Sequence, residues 1–395
     1  MSPRKADRMR VALPLSICVQ PEAWRVALTI VGTLVGAGFA SGREIAQFFA
    51  VFGSISLVGV ILAAVLLGVA TRLILDEAVK HQTSDHADLL RAVMPGQRRL
   101  TAIFDAAISL MLLGGMTVMM AGAAALFASM GLARPLGTAI VASLVFVSTY
   151  RASTQLMTLN SYLTPVLAAG ILLIALLAIA SPEKLKPLGI PFESYGWGDP
   201  LEDSTATPLL PHWTLAALLY LSFNLAGLVP VLAILGASVR VRRVIAQGSS
   251  TGALLFGLLV MAELLALLIV DGTAMKAELP MLSLALAAGP LGKAVFTITI
   301  LLAMLTTAVA DCHSLASRFS TRAAPRVAAP GWRAKSGAPS GQRTRATAVM
   351  VTAASLMSLP GFGNLVGTLY PVFGYVGLVL LATLLIQKLR VFRDK

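Results

Sequence analysis

The chain has 395 residues, of which 57% are hydrophobic and only 12% are charged, and its mean hydropathy is +0.83. These values exclude an ordinary soluble globular protein and indicate a polytopic membrane protein. A net charge of +13 would also suit a nucleic-acid-binding protein, but the basic residues fall in loops between apolar segments, where membrane orientation explains them. We therefore expect the lipid bilayer, and no nucleic acid, as a partner. Two cysteines, Cys18 and Cys312, exclude a disulfide framework.

Apolar runs of about 20 residues predict an all-α protein with ten transmembrane helices. Numbered in chain order, helices 1 to 10 are predicted at 26–51, 55–75, 99–130, 136–150, 154–180, 213–236, 249–270, 289–318, 346–360 and 365–388. A basic leader over 1–25 precedes them, and a short tail over 389–395 follows.

The distribution of Lys and Arg predicts the orientation. With both termini in the cytoplasm, 25 of the 31 basic residues lie on the cytoplasmic side and five lie outside, which leaves Arg43 within the membrane. The location predicted from this split is the cytoplasmic membrane.

The two halves of the chain have matching features. A polar outer linker over 181–212 separates five predicted helices in 26–180 from five in 213–388, the second half including a basic cytoplasmic loop over 319–345. Short helical stretches are predicted after helix 2, ending at Pro95-Gly96, and after helix 7, ending at Gly289-Pro290. Because five is an odd number, the second half is inverted, and we predict a 5+5 inverted repeat.

Helix 1 contains four glycines within eleven residues: Gly32, Gly36, Gly38 and Gly42. Each costs about 1 kcal/mol relative to alanine in a helix interior, so the sequence predicts a broken helix. Broken backbone at membrane depth occurs where it lines a cavity or a binding site. The alternative is close helix packing, since both glycine pairs have Gly-xxx-Gly spacing.

Helix 6 has a similar polar patch around Asn224, ending at Pro230, and is predicted to be broken as well. Paired interrupted helices in two inverted halves indicate a transport site. Amides of Ala40, Ser41 and Gly42 would then face a substrate carboxylate, which favours amino-acid-like solutes. The predicted substrate-binding residues are Gly36, Ala37, Gly38, Ala40, Ser41, Gly42, Phe223, Asn224 and Gly227.

Helix 8 places Ala303, Thr306 and Thr307 on one face, because residues three and four apart are neighbours on a helix. With the carbonyls of Gly32 and Val35, they would supply five oxygens, a ligand set that suits a hard cation such as sodium. The alternative is that each threonine hydroxyl bonds a carbonyl of its own helix.

These two motifs, Gly32-x-x-Val35-Gly36-x-Gly38 and Ala303-x-x-Thr306-Thr307, resemble the substrate and sodium elements of LeuT-type transporters. The longer stretch from Gly36 to Glu44, with Tyr370-Pro-x-Phe-Gly-Tyr375, resembles the YkvI family of bacterial membrane proteins, which is grouped with the amino acid/polyamine/organocation superfamily.

The resemblance implies the LeuT-like fold, a substrate site between helices 1, 3, 6 and 8, and one sodium site formed by Gly32, Val35, Ala303, Thr306 and Thr307. LeuT-type proteins bind a second sodium through an Asn where this chain has Phe39, so a second site is not expected. Helix 5 contains no Lys, which favours sodium over a lysine-based proton mechanism.

Among the charged residues inside predicted helices, Arg43, Glu44 and Glu263 lie at membrane depth, where charge is costly and indicates function by default. Asp105 and Asp311 lie near the cytoplasmic ends of helices 3 and 8, where they are expected to be solvated or paired. Glu44 is a candidate for contact with a cationic substrate or for proton coupling, and Arg43 for an outer gate. The structural alternative is ion pairing, with Glu263 in helix 7 as the expected partner of Arg43.

The sequence therefore predicts a secondary transporter of a small organic solute, amino-acid-like or an amine, working as a sodium symporter by alternating access. The alternatives are proton coupling through Glu44 and a transporter-fold receptor that senses a ligand without moving it. No catalytic motif and no cofactor other than the coupling ion are predicted, and an enzyme is not expected.

Overall fold

A computed structural model describes residues 20–83, 86–151, 153–180, 209–239, 241–269, 277–285, 289–321 and 340–393. The leader before residue 20, most of the 181–212 linker and of the 319–345 loop, and residues 394–395 lie outside the described residues. The domain boundaries proposed from the sequence therefore stay predictions.

The described ranges are helical and contain no β-strand. A 3₁₀ segment, Ala50–Ile55, lies between α3 and α4. The α-helices are α1 Pro21–Leu34, α2 Ala37–Ala40, α3 Arg43–Phe48, α4 Ser56–Lys80, α5 His86–Val93, α6 Arg98–Ser129, α7 Arg134–Arg151, α8 Ser153–Ala180, α9 Trp213–Ser238, α10 Arg242–Ile269, α11 Pro280–Ala285, α12 Gly289–Thr321, α13 Ser340–Met357 and α14 Phe362–Arg393.

Six helical segments in the described chain are long and apolar enough to cross a membrane: Ala50–Lys80, Arg98–Ser129, Trp213–Gly236, Arg242–Ile269, Gly289–Ala316 and Phe362–Gln387. Two further segments, Arg134–Thr149 and Pro165–Leu177, are apolar but shorter. The membrane class is thus confirmed. Helical structure occupies the remaining predicted spans, but the count of ten and its inverted repeat stay predictions.

The break predicted in helix 1 is present, because α1 ends at Leu34 and two short helices follow it. The break predicted in helix 6 is wrong: α9 is continuous from Trp213 to Ser238 and contains Pro230. The polar residues of α9 bond their own helix, since Ser222 Oγ donates to the Leu218 carbonyl (2.7 Å) and the Asn224 amide to the Tyr220 carbonyl (2.9 Å). With one central glycine instead of four, leucine and alanine keep this helix intact.

The two predicted short stretches are both helical. Residues His86–Val93 form α5 after α4, and residues Pro280–Ala285 form α11 after α10. The glycines that follow them, Gly96 and Gly289, have positive φ angles of 79° and 78°. Matching terminators at corresponding places support the predicted internal repeat.

Helix pairs pack closely through small residues. The helix α4 packs along α9, α1 along α10, and α14 along α9. In the last pair, a methyl group at Gly374 would lie only 2.7 Å from the Leu219 carbonyl oxygen. The backbones of α9 and α14 are therefore held at a distance that only glycine permits.

We predict that Gly374→Ala lowers the unfolding free energy by about 1–3 kcal/mol, because overpacking forces α9 and α14 apart. Gly170→Ala in α8 is the matched control, since an added methyl there meets nothing within 4 Å and alanine favours the helix by about 1 kcal/mol. Thermal unfolding of the two purified variants measures the difference. Equal melting temperatures would contradict the close packing.

Candidate functional site

Two interruptions divide the first membrane segment. At the first, Val35 (φ −79°, ψ 80°) and Gly36 (φ −97°, ψ −178°) leave the helical conformation. The Gly36 amide bonds the Leu34 carbonyl (3.0 Å), so the Gly32 carbonyl loses the partner that a continuous helix would give it. At the second, Gly42 adopts a left-handed conformation (φ 81°) before α3 begins. This conformation favours glycine and explains why the chain turns here.

The short helix α2 is tied down by its own backbone and by a serine. Ser41 Oγ donates to the Gly38 carbonyl (2.6 Å) and accepts from the Arg43 amide (3.1 Å). The amides of Ala40, Ser41 and Gly42 bond the carbonyls of Gly36, Ala37 and Phe39, respectively. The expectation that these three amides face a substrate carboxylate is therefore wrong in this conformation, because the segment re-forms a helical turn that uses them.

The residues predicted to bind sodium come from α1, the break and α12. The helix α12 packs against α2, directly after the break. Ala303 and Thr306 are each 3% exposed, Val35 is 2% exposed, and Gly32 and Thr307 are half-buried. The convergence of the five oxygens on one cation stays a prediction.

Both interpretations of Thr306 fit its hydrogen bond. Its hydroxyl donates to the Ala303 carbonyl (3.1 Å), as expected for threonine in a membrane helix. A hydroxyl group has acceptor lone pairs besides its proton, so donating this bond is compatible with ligation of a hard cation by Thr306. The Ala303 carbonyl already accepts this bond, which makes it the weaker ligand of the two.

The predicted substrate residues of α9 lie on or beside a stacked aromatic pair. The rings of Phe223 and Tyr370 stack with centroids 4.4 Å apart. Asn224 is 6% exposed and its amide is held by its own helix. Methyl groups added at Gly227 and Gly36 would meet nothing within 4 Å, so both glycines border open space.

Glu44 is buried beside Gly38 and Tyr370. The carboxyl group is 5% exposed, and a methyl at Gly38 would overlap Glu44 Oε1 and lie 2.7 Å from the Tyr370 hydroxyl. Gly38 is therefore needed because the Glu44 side chain and the Tyr370 hydroxyl occupy the space of a Cβ atom.

The expected ion pair between Arg43 and Glu263 is not formed. Arg43 Nη1 donates to the Ala277 carbonyl (3.4 Å), and its guanidinium lies near Glu278 and Gly363. The Glu263 oxygens are buried without a hydrogen-bond partner among the described residues. The two side chains diverge because the Arg43 guanidinium points to the Ala277 carbonyl, just before α11, whereas Glu263 points toward Gly42.

The predicted outer end of α1–α3 is closed by α11. The Met281 amide donates to the Ser41 carbonyl (3.0 Å), and Met281 packs so close to Gly42 that a methyl there would lie 2.8 Å from Met281 Cγ. At the predicted cytoplasmic end of the fold, a cavity of about 700 Å³ is lined by residues that include Arg72 and Lys80 of α4, Val229 of α9, Arg242 of α10 and Leu381 of α14.

Sequence reasoning missed three site residues. Tyr370 and Tyr220 contact the region of Glu44, yet a tyrosine in an apolar helix gives no signal of its own. Asp311 was expected near a helix end, but its Oδ2 would lie 2.9 Å from a methyl at Gly115 in the middle of α6. The packing of α12 against α6 brings Asp311 to Gly115, and the sequence gives no sign of this helix contact.

The fold is that of LeuT-type transporters. The chain matches the inward-facing conformation of Mhp1 (TM-score 0.60, 14% identity, 90% of this chain and 73% of that one). It also matches a manganese transporter of Eremococcus coleocola (TM-score 0.58, 15% identity, 92% of this chain and 78% of that one). A third match is the outward-open state of a Na⁺-coupled sialic acid symporter (TM-score 0.56, 14% identity, 90% of this chain and 77% of that one). At such identities the comparison establishes the fold alone.

Sequence relatives are the membrane protein YkvI and the protein YyaD, both of Bacillus subtilis (strain 168). The chain is 25% identical to YkvI over 374 residues, 93% of this chain and 96% of YkvI. It is 25% identical to YyaD over 371 residues, 92% of this chain and 97% of YyaD. The predicted resemblance to YkvI is confirmed. No protein-family model matches the chain.

We predict that Gly38→Ala lowers the melting temperature markedly, because its methyl must displace the Glu44 carboxyl and the Tyr370 hydroxyl. Gly36→Ala should leave the melting temperature within about 1 °C of the wild type, a change below about 1 kcal/mol for a chain of this size, because Gly36 has a backbone conformation open to alanine and space around it. Thermal unfolding in one detergent compares them. Similar destabilisation by both would show that the Glu44 contact does not constrain position 38.

Proposed function

We propose that this chain is a secondary active transporter of a small organic solute, amino-acid-like or an amine, that works by alternating access and is coupled to sodium. The observation that carries the proposal is the double break in α1–α3, within a fold that the chain shares with transporters. Interrupted helices at membrane depth supply the backbone groups from which such proteins build their sites.

In this proposal the protein lies in the cytoplasmic membrane, with ten spans in a 5+5 inverted repeat and both termini in the cytoplasm. The basic loops set the orientation and contact the lipid surface, and they take no nucleic-acid partner. The similarity to Mhp1 and the length of the match, 90% of this chain, support the architecture.

The substrate would bind beside the first break, next to the stacked rings of Phe223 and Tyr370. Gly36 and Gly227 each border open space, which leaves room for a solute in this proposal. Breaking that stack would admit or release the solute. The contacts of α11 with Ser41 and Gly42 close the predicted outer side, and the cavity of about 700 Å³ opens toward the predicted cytoplasmic side. This arrangement corresponds to a state open to the cytoplasm.

Sodium would bridge α12 and the first break, with Thr306 as its best-placed side-chain ligand. A cation held between α12 and the freed carbonyls of Gly32 and Val35 would fix α1 against α12. Release of the cation would then let α1 move, which couples ion binding to opening. The sialic acid symporter, whose fold is similar, is described as Na⁺-coupled, and this supports the choice of ion.

Proton coupling through Glu44 is the second candidate, favoured by its burial beside the Tyr370 hydroxyl. The two candidates predict different responses. Sodium coupling requires a stability increase with sodium, whereas proton coupling requires a dependence on pH that Glu44→Gln removes.

We predict that sodium, compared with choline, raises the melting temperature of the wild type. A ligand at 100 times its dissociation constant adds about 2.7 kcal/mol. The double variant Thr306→Ala/Thr307→Ala should lose this sodium response while remaining folded, because two of the five proposed ligand oxygens are removed. Pools of amino acids, amines and organic acids, added with sodium, would then identify the solute class by a further increase.

The matched control is Thr299→Ala, which removes the same type of hydroxyl, bonded to the Val295 carbonyl, from an exposed face of α12. It should keep the full sodium response. A sodium response that survives in the double variant would overturn the proposed cation site.

A further inference from the structure

One buried acid is used by neither the sodium site nor the proposed substrate site. Glu263 of α10 is 0% exposed, and both of its carboxyl oxygens are buried without a hydrogen-bond partner among the described residues. Oε1 points at α3, where a methyl on Gly42 would lie 3.3 Å from it. A carboxyl group in such a position requires a neutralising ligand, because an ionised carboxylate without a partner is strongly disfavoured in a dry interior.

Among the described residues, the elements packed against α10 supply Glu263 with no cation. The nearest cationic side chain on α3, Arg43, turns away to the Ala277 carbonyl. The charged residues of α1, Glu22 and Arg25, lie at the end that packs against Gly248 of α10, far along the helix from Glu263. The sequences of the 3₁₀ segment and of α8 contain no charged residue.

The charged residues of α4 are also remote from Glu263. They begin at Arg72, beyond the contacts that Gly68 makes with Ala253 and that Gly257 makes with Ala64. Because α4 and α10 run in opposite directions through these contacts, Glu263 faces the other end of α4. No basic side chain of α4 therefore reaches it.

The groups that do face Glu263 disfavour a negative charge there. The Glu44 carboxyl of α3 and the Tyr220 hydroxyl of α9 both interact electrostatically with it. Glu44 is in turn next to Tyr370, whose surroundings include Asp311. A second ionised carboxylate in this group would face repulsion without compensation.

Space also selects the ligand. A cavity beside Tyr220, lined by Asn224, Phe256 and Val260 among others, holds about 10 Å³, which is too small for an organic ammonium ion. A proton is the cation that needs no space. It also requires no further ligand, since a neutral carboxylic acid is tolerated in an apolar interior far better than a carboxylate.

We propose that Glu263 is a proton-binding site: it is protonated while α3 is packed against α10, and it releases that proton when this contact opens to water. The contact is made at Gly42, the residue whose left-handed backbone begins α3, so ionisation of Glu263 acts directly on the second interruption of the segment. Proton release would then favour movement of α3 away from α10. The site uses none of the residues proposed as sodium ligands, so the chain responds to protons as well as to the coupling ion.

Infrared spectroscopy of the full-length protein in lipid tests this directly, because the carbonyl stretch of a protonated carboxylic acid is separate from the carboxylate bands. At neutral pH the wild type should show such a band. Glu263→Gln should remove the component that belongs to Glu263, and Glu44→Gln should retain it. Glu77→Gln, at an ion-paired position whose side chain is 20% exposed, is the control that should leave the protonated-acid band unchanged.

Glu263→Asp provides a second variant if the glutamine variant does not fold. It keeps the carboxyl group and should keep the band at a shifted frequency. A protonated-acid band that is unchanged in Glu263→Gln, or unshifted in Glu263→Asp, would overturn the proposal. No solute or sodium is needed for these measurements, so such a failure would leave the proposed transport function standing.

Discussion

The site depends on one constraint, which is that the backbone of the first membrane segment cannot remain helical across Val35, Gly36 and Gly42. Interrupted backbone inside a membrane must find partners within the protein. Here two of the partners are local, since the Gly36 amide bonds the Leu34 carbonyl and the Ser41 hydroxyl bonds the Gly38 carbonyl. A third is distant in sequence, because the Ser41 carbonyl accepts from the Met281 amide of α11. These bonds hold α2 and α3 as separate short helices, each of which presents a different residue to the interior.

The glycines in this segment have different physical roles. Gly42 provides a left-handed turn and Gly38 provides room for Glu44 and Tyr370, whereas Gly36 borders open space. One end of the segment is covered by α11, whereas a cavity lies among α4, α5, α9, α10 and α14 at the predicted cytoplasmic end of the fold. The asymmetry between a covered end and an open end is what alternating access requires of a single conformation.

The sequence predicted the first break but failed at helix 6, and the reason lies in how each residue can satisfy its backbone. Four glycines add their costs and offer no side chain in return. Ser222 and Asn224 instead bond carbonyls of the preceding turn, so the helix accommodates them, and Pro230 removes only one amide. Composition alone identifies the first case. The second requires knowledge of which way each polar side chain points.

The environments of Arg43 and Glu263 were beyond prediction for a related reason. Their charges suggested a pair, but the Arg43 guanidinium bonds the Ala277 carbonyl, just before α11, and Glu263 faces Gly42. Tertiary contacts of a loop decide this, and no local pattern records them. The YkvI resemblance, in contrast, was visible in residues Gly36 to Glu44, because that stretch combines helix-breaking glycines with a charge at membrane depth.

Uptake by the purified protein in liposomes tests the central claim most directly, with the labelled solute that most raises the melting temperature. With sodium outside and choline inside, the account predicts accumulation of that solute, and loss of accumulation in Thr306→Ala/Thr307→Ala. A solute that stabilises the protein yet does not cross the membrane, even by exchange, would contradict the account. The chain would then be a ligand receptor built on a transporter fold.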